Sequence, residues 1–220
     1  DFKAMDTQAK ELGRTTQFSA SQAADAMSFL GMAGLDAKEI MDAMPATLNL
    51  AAAGNLELAT AADIASNVMS GFGAEAKDLG QFVDVLAAGF TNSNTDLNQL
   101  GEAMANAAPV ASGFGVSIEE TTAAIGLLSN AGIQGGAAGT SLKNILVQLD
   151  EQSESLGLSI YDAAGNMIPL SDQLAQLESK GLSTSDIMGK FGKIAGPGLL
   201  ALMKEGSSGL SDLTGTLENS

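Results

Sequence analysis

The chain has no cysteine, no histidine and no tryptophan, and aromatic residues make up only 4% of it. Without cysteine it forms neither a disulfide nor a thiolate metal site. Without histidine it lacks the side chain that most often moves protons near neutral pH and the commonest metal ligand. Positive charge is also scarce: ten Lys and Arg stand against 26 Asp and Glu, for a net charge of −16. Affinity for nucleic acid rests on cations that neutralise phosphates, so none is expected here. The acids are scattered rather than clustered, as on a solvated surface. No cofactor is expected.

What is present is small and apolar. Hydrophobic residues make up 45% of the 220 residues, mostly as Ala, Leu and Met, with 26 glycines besides. Small side chains let helix backbones approach closely but bury little area each, at about 25 cal/mol per Å². The length allows one or two domains, and oligomerisation or a surrounding sheath is expected to supply part of the stability. The chain begins at Asp1 without an initiator Met and reads as part of something longer.

Helix starts and stops recur. Ser19 with Gln22, Asp36 with Glu39, and Ser117 with Glu120 each fit a capping box, in which the first side chain accepts from the backbone three residues on and the second reaches back. Gly34, Gly54, Gly73, Gly115 and Gly132 each follow an apolar run, where a left-handed residue ends a helix. Helices are expected near 2–13, 20–33, 37–53, 56–71, 75–90, 96–112, 118–131 and 138–153. Pro45 and Pro109 should kink or split theirs.

Residues 158–170 break the pattern. Leu158-Ser159-Ile160-Tyr161-Asp162 alternates, Ala163-Ala164-Gly165-Asn166 is turn-like, and Met167-Ile168-Pro169-Leu170 returns, which predicts a β-hairpin. A short helix capped by Ser171 should run to about Lys180, followed by others near 184–193, 197–205 and 209–218. The expected fold is mainly α: a multi-helix, Ala/Gly-rich bundle of short helices with one small β-hairpin. The segments are a helical region 1–155, the hairpin 156–171 and a short-helix C-terminal segment 172–220.

Ser19 aligns with Ser117 at an offset of 98 residues, and Gln22, Ala26, Met27, Leu30, Ala33, Gly34 and Leu35 then align with Glu120, Ala124, Ile125, Leu128, Ala131, Gly132 and Ile133. A duplicated helical unit is one reading. The plainer one, that Ala-rich amphipathic helices look alike, is put slightly ahead.

Sites of chemistry are few. Thr121–Leu142 is uncharged over 22 residues, long enough to span a bilayer, but its Ser, Asn, Gln and Gly content favours a buried helix–loop–helix. Gly132–Ser141 lacks the Gly-Lys-Ser/Thr of a phosphate loop, with Thr140 where the Lys would stand, and reads as a tight connection between helices. The carboxylate pairs Glu119/Glu120 and Asp150/Glu151 point in diverging directions, and capping explains the first. Met27, Met32, Met41, Met44, Met69 and Met104 sit at helical spacings and are assigned to core packing. The residues singled out are therefore structural caps and exits: Ser19, Gly34, Asp36, Ser117 and Gly132.

An ordered set of short motifs carries a family likeness from about Leu12 to Leu149, with a looser match beyond. It comprises Phe29-Leu30-Gly31-Met32-Ala33-Gly34-Leu35, the Pro-containing run Met44-Pro45 through Ala51-Ala52-Ala53-Gly54, Ala61-Ala62-Asp63-Ile64 through Phe72-Gly73, and Asp84-Val85-Leu86-Ala87. The long stretch Ser93–Leu149 completes it. This set resembles the core region of phage tail tape measure proteins.

The resemblance implies a structural protein, not an enzyme, of a phage or prophage-derived tail. Such proteins occupy the tail tube lumen, govern tail assembly and length, and are released at DNA ejection. Implied partners are other copies of the chain, tail tube and distal tail or baseplate proteins, and tail assembly chaperones. Implied locations are the virion tail interior and the host cytoplasm during assembly. The rival readings are a membrane-active domain with transient membrane contact, which helps DNA through the host envelope, and a cell-wall hydrolase using Glu119, Glu120, Asp150 and Glu151. The glycine exits and prolines predict a compact domain rather than a length-setting rod.

Overall fold

A computed structural model describes residues 2–220. Among them are ten α-helices, one 3-10 turn and no sheet. The chain divides into two compact units, Asp1–Ala87 and Ala88–Ser220.

The first unit holds α1 (Phe2–Thr15), α2 (Ala20–Met32), α3 (Ala37–Ala53), α4 (Leu58–Phe72), the 3-10 turn Ala76–Asp78 and most of α5 (Leu79–Thr91). α2 is its centre and packs on α1, α3 and α4, burying Ala23, Ala26, Met27 and Leu30. Phe72 meets Phe82 edge to face at 5.8 Å. Pro45 does not split α3. A proline lacks the N–H that would bond the carbonyl four residues back, here that of Met41, and the side-chain amide of Gln8 in α1 donates to that carbonyl at 3.0 Å. Pro109 likewise leaves its helix, α6, continuous.

The second unit holds α6 (Leu97–Gly113), α7 (Ile118–Asn130), α8 (Gly135–Leu156), α9 (Leu170–Ser179) and α10 (Thr184–Glu218). α6 lies along α8, and α10 crosses α7, α8 and α9. Every residue of α7 from Ile118 to Ser129 is buried. α10 is interrupted at Gly192 (φ 70°) and Gly206 (φ 84°), whose backbones leave the helical region.

The expected β-hairpin is absent. Tyr161 and Met167 form one antiparallel bridge, flanked by Ile168 N–H on Ile160 C=O and Asp162 N–H on Asn166 C=O, both at 2.8 Å. The ladder cannot lengthen. Both backbone groups of Ser159 are taken by the Gln176 side chain of α9, at 2.8 and 2.9 Å, and Pro169 has no N–H to offer. The alternation is real, but it serves to pin a loop onto a helix.

The offset of 98 residues extends to three consecutive helices. α1 and α6 end, α2 and α7 start and end, and α3 and α8 start at corresponding positions. Both middle helices close with the same paired bonds: Leu35 N–H to Leu30 C=O and Gly34 N–H to Gly31 C=O in one, Ile133 to Leu128 and Gly132 to Ser129 in the other. General amphipathic likeness does not fix two helix starts, two helix ends and an exit geometry together, so the duplicated unit is the better reading.

Candidate functional site

The five residues singled out from the sequence are hinges of the framework and do not converge on one place. Ser19 accepts the Gln22 N–H at 3.2 Å, and Gln22 accepts the Ser19 N–H at 2.8 Å. Asp36 accepts from Lys38 and Glu39 at 2.8 and 2.9 Å, and Glu39 returns the bond at 2.8 Å. Gly34 and Gly132 take φ of 98° and 85°. Gly73 and Gly115 are left-handed as well. Gly54 is not: its φ is −83°, and Asn55 takes the left-handed position at φ 50°, which asparagine tolerates better than most side chains.

Ser117 departs from the expected box. It accepts the Glu120 N–H at 3.1 Å, but Glu120 sends nothing back. Its carboxylate instead accepts the backbone N–H of Ser171 at 3.1 Å, in the first turn of α9. That helix has no side-chain cap of its own, because Pro169 holds the capping position. Glu120 is 6% exposed, and burial pushes its carboxyl above the usual carboxylate range, against the lowering effect of its bonds from Leu170 and Ser171.

Glu120 is one of several polar side chains that serve the end of another helix. Glu178 in α9 accepts from the N–H and hydroxyl of Ser207, at 2.8 and 2.9 Å, just past the break at Gly206. The Lys180 ammonium donates to the Gly157 carbonyl at 3.0 Å, where α8 ends and its dipole favours a cation. Sequence patterns reveal caps made within one segment. These cross-segment caps were missed; their one signal is a helix start, at Pro169, without a local acceptor.

Close backbone approach is the second device. The run Gly135–Ser141, expected in a connection, is the first two turns of α8. A Cβ on Gly139 would fall on the Ala103 carbonyl of α6, and one on Gly198 of α10 would fall on the Ser141 hydroxyl. In the first unit Met5 and Met41 hold the places of Ala103 and Gly139, and α1 meets α3 over only a short length. An apolar groove of about 510 Å³ results, lined in part by Phe2, Met5, Ala9, Ala24, Met27 and Ile40. Their counterparts Leu100, Ala103, Ala107, Thr122, Ile125 and Ala138 are all at most 1% exposed. Of the methionines assigned to the core, Met27, Met44, Met69 and Met104 are buried, Met41 is half-buried and Met32 is 74% exposed.

The other carboxylate pair is dispersed in role. Asp150 accepts from the Tyr161 hydroxyl at 2.6 Å, while Glu151 is exposed. Among the described residues no group of three His, Cys, Asp or Glu could hold a metal, and no helix is long and apolar enough to cross a membrane. A cleft of about 360 Å³ beside Glu120 is lined by Val116, Met167, Ile168, Ser211, Thr214 and Glu218 among others.

These features define a helical protein built from small residues, cross-capped helix ends and close backbone contacts. Residues 6–196 match the family of phage-related minor tail proteins, and the chain belongs to that family. It is 39% identical to the tape measure protein of Pneumococcus phage Dp-1, over 98% of this chain and 20% of that protein. It is 32% identical to the probable tape measure protein of Escherichia phage P2, over 96% of this chain and 28% of that protein. The chain therefore spans between 20% and 28% of the length of the curated relatives it matches. No solved structure matches it.

Proposed function

We propose that this chain is a compact helical part of a tape measure protein, and that it acts inside the phage tail as a structural element of assembly. The likeness to two relatives named as tape measure proteins supports the reading. The structural observation that carries it is the repeated ending of helices in turns, so that no single helix runs the length of the chain. The longest element, α10, has 35 residues but is interrupted twice, and α8 has 22. At about 1.5 Å per residue, neither approaches the span of a ruler. In this reading the segment packs within the tail lumen against other copies and tail tube or distal tail proteins, and assembly chaperones handle it in the host cytoplasm. It takes part in governing tail length and leaves when DNA is ejected. The charge of −16 keeps it from adhering to DNA that later uses the same passage.

Purified particles test this. Antibody against the segment should find it protected in intact tails and absent from tails that have ejected their DNA. Its presence on the outer tail surface, or its absence from intact tails, would overturn the reading.

A further inference from the structure

The start of α9 is held from outside. The N–H of Ser171 in its first turn is bonded by the Glu120 carboxylate of α7 at 3.1 Å, and the Leu170 N–H beside it also favours the charged carboxylate. The corresponding residue in the first unit, Gln22, keeps its side chain on its own helix and closes the box with Ser19. Glu120 has exchanged that local bond for a tertiary one. The charged groups facing it from the packed elements are Asp172 of α9 and Glu218 of α10, both acids. The adjoining cleft, with Ile168, Pro169 and Ser171 on one wall and Ser211, Thr214 and Glu218 on the other, leaves room for the start of α9 to shift.

We propose that Glu120 is a proton-operated clasp between α7 and α9, which holds the start of α9 in place while neutral and loosens it on ionising. A neutral carboxyl still offers its carbonyl oxygen to the Ser171 N–H. An ionised one offers a stronger acceptor but is buried without a counter-cation and faces Asp172 and Glu218. Desolvation is the largest of these influences and outweighs the two backbone bonds, so the carboxyl titrates above its ordinary value of 4.5. A group whose pKa rises on folding favours the fold fully below its unfolded value, and that contribution is lost as the pH climbs through the folded value. The start of α9 therefore loosens toward alkaline pH, the reverse of ordinary acid denaturation. The clasp is independent of the tail role.

Amide hydrogen exchange on the 220-residue chain between pH 4.5 and 8, referred to intrinsic exchange rates, tests this. In the wild type, protection of the Ser171 amide and the first turn of α9 should fall with rising pH by about fivefold, the worth of a helix cap. Glu120→Gln keeps the acceptor and removes the charge, so its protection should stay high and flat. Glu120→Ala should be poorly protected throughout. If that variant fails to fold, Glu120→Gln alone decides. Asp172→Asn with Glu218→Gln should move the wild-type midpoint to lower pH. A flat wild-type profile, or a Glu120→Gln profile that still titrates, would overturn the clasp.

Discussion

Glycine is required here for two different reasons, and substitution separates them. Gly34 and Gly132 are needed for their own backbone, at φ of 98° and 85° with open space around the missing side chain. Alanine at either should cost about 1 kcal/mol, because a Cβ disfavours the left-handed conformation. Gly139 is needed for its neighbour, since a Cβ there would meet the Ala103 backbone, and alanine should cost about 1–3 kcal/mol by overpacking. Urea unfolding of the three variants checks the order; Gly139→Ala as mild as the others would contradict the close approach. The first kind of glycine was legible, because an Ala-Gly exit after an apolar run is a local signal. The second was not, because the partner that demands it lies on another helix.

At the scale of elements, the prolines and caps show where sequence reading stops. The helix starts at Ala20, Ala37 and Ile118 were legible from the polar residue before each. The diversion of Glu120 and the pinning of Ser159 by Gln176 were not, because they depend on where α9 lies. Pro45 supplies a test of such long-range repair. Gln8→Ala should destabilise by about 1 kcal/mol, the net worth of one hydrogen bond, by stranding the Met41 carbonyl. Pro45→Ala restores an N–H for that carbonyl, so in its presence the Gln8 change should cost little. A double-mutant cycle by thermal unfolding reads the coupling. Additive effects would show that Gln8 does not serve that carbonyl.

At the scale of the molecule, the duplicated three-helix unit was visible only as a faint alignment. Residues that set helix ends recur, while packing residues such as Met5 and Ala103 differ in size, and an open groove in one unit corresponds to a closed core in the other. Charge was legible throughout: at −16, the chain should show no salt-sensitive binding to random duplex DNA at physiological ionic strength, a result that fluorescence anisotropy would check and micromolar binding would contradict.

These residues fold back as compact units, and in the proposed reading they serve assembly without adding their full helical rise to the length of the tail. Drawn out as one helix, 220 residues would span roughly 330 Å at about 1.5 Å per residue. The direct measurement is electron microscopy of particles made with the segment deleted in frame from the full protein. A compact assembly domain predicts missing, deranged or non-infectious tails. Normal infectious particles with tails shortened by about 330 Å, the full helical rise, would show the segment to be part of the ruler.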